Sequence, residues 1–203
     1  PNNAKMQVVG PIPTVSTVND KLMQMGLTAN DLRPVDWRKH GISPPRNQQD
    51  CGDCWAMSST SALTDRFIIQ KNISGLLLEA AITAQCVPQL MNAGCGGGLP
   101  FLAGQFFEAT GVPRVSGSCQ PWRDLCPVVK QCVLPACQDM ISSCQNNVIY
   151  KAAQGSTKNL TAQAANGLVD PTLTVVNIKT DLMNGPVVGS FYVPVDFMAS
   201  SFY

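Results

Sequence analysis

The spacing of apolar positions changes along this chain. Trp55, Ala62 and Ile69, with Ala56, Leu63 and Phe67 beside them, recur at helical intervals, and neither proline nor glycine interrupts before Gly75. This pattern predicts a helix from Cys54 to about Lys71. Further helices are expected near Leu77 to Gln85 and from Leu102 to Thr110, the latter closed by Gly111 and Pro113. From about Val148 the character becomes strand-like. Val148-Ile149-Tyr150 and Leu173-Thr174-Val175-Val176 are β-rich runs, and a short helix is expected near Ile178 to Met183. Residues 1 to 31 are polar, punctuated by Pro11 and Pro13, and show no sustained period, so they read as an extension.

Composition narrows the class. A chain of 203 residues can bury a sizeable core as one two-lobed domain or as two small ones. Only 13% of residues are charged and the formal net charge is +1, which supplies no preference for nucleic acid or an acidic membrane. No apolar run is long enough to span a bilayer. No basic-then-apolar signal peptide opens the chain, which starts at Pro1 and is expected to be processed or cut. Nine cysteines point to an oxidising compartment, and an odd total leaves at least one unpaired. If Cys54 is the free one, eight remain for four bridges, and spacing alone does not choose among the roughly one hundred pairings then open. The sequons at Asn72 and Asn159 agree with a secretory route.

The chemistry concentrates in Arg46-Asn47-Gln48-Gln49-Asp50-Cys51-Gly52-Asp53-Cys54-Trp55-Ala56. Cys54 falls in the first turn of the predicted helix, where unpaired N–H groups and the positive end of the helix dipole favour a thiolate, the reactive form of cysteine. Asp53 is the N-cap candidate, and Gly52 permits a tight entry. The competing reading is a redox or zinc C-x-x-C made by Cys51 and Cys54, although no second such pair and no His-x-x-x-His accompanies it.

Cys51-Gly52-Asp53-Cys54-Trp55 resembles the active-site signature of the papain-like cysteine peptidases. The resemblance implies that Cys54 is the nucleophile and that Gln48 lends its side-chain amide to an oxyanion hole, with the Cys54 backbone N–H as second donor. Asp53 departs from the family pattern, which has Ser or Ala there, and its charge would oppose a thiolate at Cys54. Cys86 and Gly94-Cys95-Gly96-Gly97-Gly98-Leu99-Pro100 are similar to the family's second block, implying a Cys51–Cys95 bridge. Ser118-Cys119-Gln120-Pro121-Trp122, followed by Cys126, Cys132, Cys137 and Cys144, is closest to the cathepsin B branch. That likeness implies pairs Cys86–Cys137, Cys119–Cys144 and Cys126–Cys132, leaving only Cys54 over. A zinc site among Cys126, Cys132, Cys137 and Cys144 is the alternative. Gly97 and Gly98 would align a peptide as an added strand. Asn184-Gly185-Pro186-Val187 resembles the segment entering the second lobe, with Val187 beside the pocket for the substrate's second residue. Trp55 completes the substrate-binding set that the resemblance implies.

The fold so implied is papain-like α+β, disulfide-rich, with a helical lobe and a partial antiparallel β-barrel lobe. Residues 1–31 would be an N-terminal extension or propeptide remnant. Residues 32–117 would hold the mature N-terminus and helical lobe, 118–147 a cysteine-stapled loop region, and 148–203 the partial barrel. Cathepsin B carries paired histidines between its equivalents of Cys126 and Cys132, whereas Pro127-Val128-Val129-Lys130-Gln131 has none. Endopeptidase rather than dipeptide-removing activity is therefore implied. The reaction also needs an imidazole and an amide to orient it. The only histidine, His40, precedes the nucleophile and matches no catalytic position. A family histidine about 130 to 150 residues beyond the cysteine falls at about 184 to 204, so His and Asn are expected soon after Tyr203. The implied activity is hydrolysis of peptide bonds in peptide or protein substrates through a thioester, without cofactor or metal, in a secretory, extracellular or lysosome-like compartment, with a propeptide or protein inhibitor as partner. The alternative is an inactive papain-like binding or structural module.

Overall fold

A computed structural model describes residues 13–28, 33–88, 94–116, 119, 135–144 and 146–191. Six α-helices lie among them: α1 (Val15–Gln24), α2 (Cys54–Lys71), α3 (Ala80–Cys86), α4 (Pro100–Ala109), α5 (Cys137–Ser143) and α6 (Pro171–Leu182). Two antiparallel ribbons accompany them. In one, β1 (Val112–Pro113) pairs with β2 (Ile149–Tyr150), and in the other β3 (Ala162–Gln163) pairs with β4 (Val169–Asp170). Helices and ribbons together make an α+β architecture, and beyond α5 the described residues hold β2, the β3–β4 ribbon and α6.

The core gathers on α2. Trp55, Leu63 and Ile68 pack with Leu76, Leu78, Ala81, Ile82, Phe106, Phe107 and Val112, so that α2 lies against α3 and α4. Burying a side chain the size of Leu78 stabilises by about 2 kcal/mol. The buried face of α2 differs from the apolar stripe seen in the sequence. Ala62 and Ile69 are only half-buried, whereas Ser59, Thr60, Thr64 and Asp65 are inside. Each of these polar groups is satisfied. Thr60 and Thr83 hydroxyls meet at 2.7 Å, Ser59 and Thr64 donate to the carbonyls of Trp55 and Thr60, and Asp65 accepts from both the backbone and the hydroxyl of Ser43. Buried polar groups persist in a core only when so paired.

One expectation fails for an identifiable reason. Leu173–Val176 are helical, in α6. Asp170 accepts from the Leu173 N–H as N-cap and Pro171 opens the first turn, start signals that outweigh the β preference of the branched run. Within residues 1–31, read from the sequence as an extension, the structure contains α1. Thr14 caps it by accepting from the Thr17 N–H, and Val18 and Leu22, one turn apart, bury against Val176 of α6. The segment around Trp37 starts extended, then forms a 3-10 turn at Trp37–His40 capped by Asp36. The Trp37 indole N–H donates to the Leu182 carbonyl at 2.9 Å, tying this turn to the end of α6. Among the described residues, no helix is long and apolar enough to cross a membrane.

Candidate active site

Cys54 is the first residue of α2 and is exposed, and it is the one free cysteine among the described residues. The loop before it is braced at several points. Cys51 is buried and bridged to Cys95, and the Gly52 N–H donates to the Cys95 carbonyl at 3.0 Å. A Cβ on Gly52 would stand 2.4 Å from that same carbonyl oxygen, so only glycine fits. Arg46 donates to the Leu78 carbonyl at 2.7 Å, anchoring the loop's entry to the core. Burial lowers the pKa of its guanidinium, while the Glu79 and Asp65 carboxylates oppose the shift. Gln48 is half-buried, and its amide donates to the Cys51 carbonyl at 2.6 Å, which holds that side chain against the nucleophile loop.

Since Cys51 is joined to Cys95, a Cys51–Cys54 redox pair is excluded. Bridges Cys86–Cys137 and Cys119–Cys144 likewise remove two members of the four-cysteine zinc alternative. These three disulfides are the pairings that the resemblance implies, and Cys126 and Cys132 lie outside the described residues. No group of three metal-capable side chains occurs among the described residues.

Trp55 is only 3% exposed. Its indole N–H donates to the Gly94 carbonyl at 3.4 Å, and a Cβ on Gly98 would come within 2.4 Å of the ring. The residue thus supports the glycine loop from beneath. Gly97, at φ +102°, and Gly98 are both half-buried, laced to the nucleophile loop through Cys95. Val187 is half-buried on the segment after α6, which reaches α2 through Arg66. His40 is exposed and its ring centroid lies 5.2 Å from that of Trp37. Asn72 and Asn159 are both exposed.

Asp53 behaves otherwise than its sequence position suggests. It occupies the N-cap, but at φ −102° and ψ 21° its side chain makes no cap bond. The carboxyl is wholly buried and neither oxygen has a hydrogen-bond partner. Burial therefore pushes its pKa up to about 7. Below that pH the group is a neutral acid, so the expected opposition of its charge to a thiolate at Cys54 is absent under acidic conditions. Sequence inspection missed this because an aspartate before a helix usually signals an exposed cap. It also missed Arg66, although an Asp65-Arg66 pair within an otherwise buried helix is a sign that partners must exist elsewhere in the chain.

A sequence profile of the papain family cysteine proteases matches residues 33–199. Cathepsin O of Mus musculus is 37% identical over 90 residues, covering 43% of this chain and 28% of that protein. Cathepsin B-like protease 1 of Arabidopsis thaliana is 30% identical over 150 residues, covering 72% of this chain and 37% of that protein. In a solved structure of the Carica candamarcensis cysteine protease CMS1MS2 in complex with E-64, the similarity covers 59% of this chain and 48% of that one, at 28% identity and a TM-score of 0.39. The matched part of this chain spans less than half the length of the curated relatives, between 22% and 46%.

Proposed function

The chain belongs to the papain family of cysteine proteases, and on that premise we propose that it is the nucleophile-bearing part of an endopeptidase in which Cys54 attacks the scissile carbonyl. One observation carries this reading: the single free thiol among the described residues is exposed at the first residue of α2, while the neighbouring Cys51 is locked to Cys95. The sulfur forms a thioester as the amine leaves with a proton from an imidazole, and water then releases the acid. Gln48 and the Cys54 backbone N–H are the oxyanion donors, Gly97 and Gly98 align the peptide, and Val187 walls the pocket for the second residue before the cleaved bond. Trp55, packed under the glycine loop, completes the substrate-binding set. A histidine and an asparagine encoded beyond Tyr203 complete the site in this reading.

The disulfide set and relatives named cathepsin B-like, one of them matched over 163 residues, support placement near the cathepsin B branch. The bridges and the exposed sequons at Asn72 and Asn159 support a secretory or lysosome-like compartment. Residues 1–31 are read as a propeptide remnant or tether, 32–117 as the helical lobe, 118–147 as the stapled region and 148–203 as the start of the barrel lobe.

Treatment of the full-length protein with a peptidyl epoxide tests this function. Covalent labelling at Cys54, lost in Cys54→Ser together with peptide hydrolysis, is expected, and Gln48→Ala should lower kcat about 100-fold. A thiol at residue 54 that is reduced yet neither labelled nor needed for hydrolysis overturns the assignment and favours a non-catalytic module.

A further inference from the structure

Arg66 sits twelve residues beyond Cys54 on α2, about 18 Å along the helix axis, too far to touch a reacting bond. Its guanidinium faces the segment after α6. Nε donates to the Pro186 carbonyl at 2.9 Å, and Nη2 donates to Asp181 Oδ2 at 2.7 Å and to the Gly185 carbonyl at 3.4 Å. Both members of the ion pair are largely shielded, with side-chain exposures of 28% and 18%. Gly185 has φ +142°, and a Cβ there would stand 2.9 Å from Arg66 Cγ. The segment and the arginine are therefore fitted to each other, and any other residue at 185 would be strained and would press on the side chain that holds its carbonyl. Gln70, one turn further along α2, donates to the Asn184 carbonyl at 3.4 Å. Val187 directly follows Pro186 in the chain.

A planar guanidinium directs its N–H groups along fixed vectors, so it specifies where two successive carbonyls lie in a way that a freely rotating ammonium does not. The geometry points to Arg66 as a positioning residue for substrate selectivity: by holding the carbonyls of Gly185 and Pro186 it fixes Val187, the apolar wall against the substrate's second residue. This role rests on the assignment of Val187 proposed above. It differs from a mere tie between α2 and α6, which would support all substrates alike.

The test uses the full-length enzyme with Arg66→Lys and Arg66→Gln, and two fluorogenic peptides differing only in Phe or Ala at the second residue before the cleaved bond. In Arg66→Lys the charge opposite Asp181 is retained while the directed bond to Pro186 is lost. The ratio of kcat/KM for the Phe peptide to that for the Ala peptide is expected to fall about tenfold, mainly through KM. The rate of Cys54 alkylation by iodoacetamide and the Tm of this variant should stay close to those of the parent. Arg66→Gln should lower the ratio at least as far, and if that variant does not fold, the lysine variant decides alone. An unchanged ratio, or equal loss toward both peptides with a lowered Tm, overturns the selectivity role while leaving the peptidase assignment standing. Failure of the parent enzyme to cleave either peptide overturns both.

Discussion

The region built on α2, α3 and α4 and the region built on α1 and α6 are held together by different forces. The first encloses a continuous apolar cluster that includes Trp55, Leu63, Leu78, Phe107 and Val112, reinforced by satisfied buried hydroxyls and by the Cys51–Cys95 bridge. Among the described residues, the second gathers Val18, Leu22 and Val176 into a small buried cluster, with Leu27 and Val175 at the margin. It is joined to the first by directed polar contacts: Arg66 to Asp181 and Pro186, and Trp37 to Leu182. Glu108 of α4 accepts from the Thr157 hydroxyl and from the N–H groups of Gly155 and Thr157, and these bonds, the hydroxyl's first, hold its carboxylate pKa low. Apolar burial is non-directional and accumulates with area, whereas a hydrogen-bonded joint depends on a few geometries and opens locally at lower cost. The proposed nucleophile thus stands on the stiff region and the proposed selectivity wall on the adjustable one.

Asp53 offers the largest way to break this contrast, because it is an unpartnered acid inside the stiff region. Its folded pKa of about 7 lies above the ordinary value of 3.8. The folded state therefore binds the proton more tightly, and the stability this confers is present below about pH 4, is lost as pH rises toward 7, and changes little above that. The loss is on the order of 4 kcal/mol. Asp53→Asn should flatten the curve over this window, read as the difference in unfolding free energy between variant and parent from pH 4 to 8. A difference independent of pH would show that the carboxyl reaches water or a partner.

Removing the Cys51–Cys95 bridge, whose ends are 44 residues apart, should cost about 4 kcal/mol in urea unfolding and loosen the Gly97–Gly98 loop. A loss confined to the α1–α6 side would contradict the placement of this staple in the stiff region. The smallest effect is expected from Leu22→Ala, about 3 kcal/mol at most given how few neighbours enclose the site. Amide exchange should then quicken in α1 and α6 while α2 to α4 keep their protection. Equal acceleration everywhere would mean that the two regions unfold as one unit.

Much of the candidate site was legible in the sequence because its signals are local. The helix beginning at Cys54 follows from apolar spacing and the absence of breakers. Gly52 marks a tight entry to that helix, although the close approach of the Cys95 carbonyl that leaves room for glycine alone exists only in the folded chain, and a resemblance carried by five consecutive residues pointed to the nucleophile. The pairing of the cysteines came through that resemblance, since spacing alone leaves it open. What local pattern could not supply were features settled by partners distant in the chain. Leu173–Val176 look like a strand until Asp170 and Pro171 start a helix that buries Val176 against α1. Asp53 looks like a cap until the surrounding structure turns its carboxyl inward without a donor. Arg66 is an unremarked charge until the chain returns 115 residues later with Asp181. Backbone propensity and side-chain period act over one or two turns and are written residue by residue, whereas desolvation and the meeting of charges exist only once separate segments have packed.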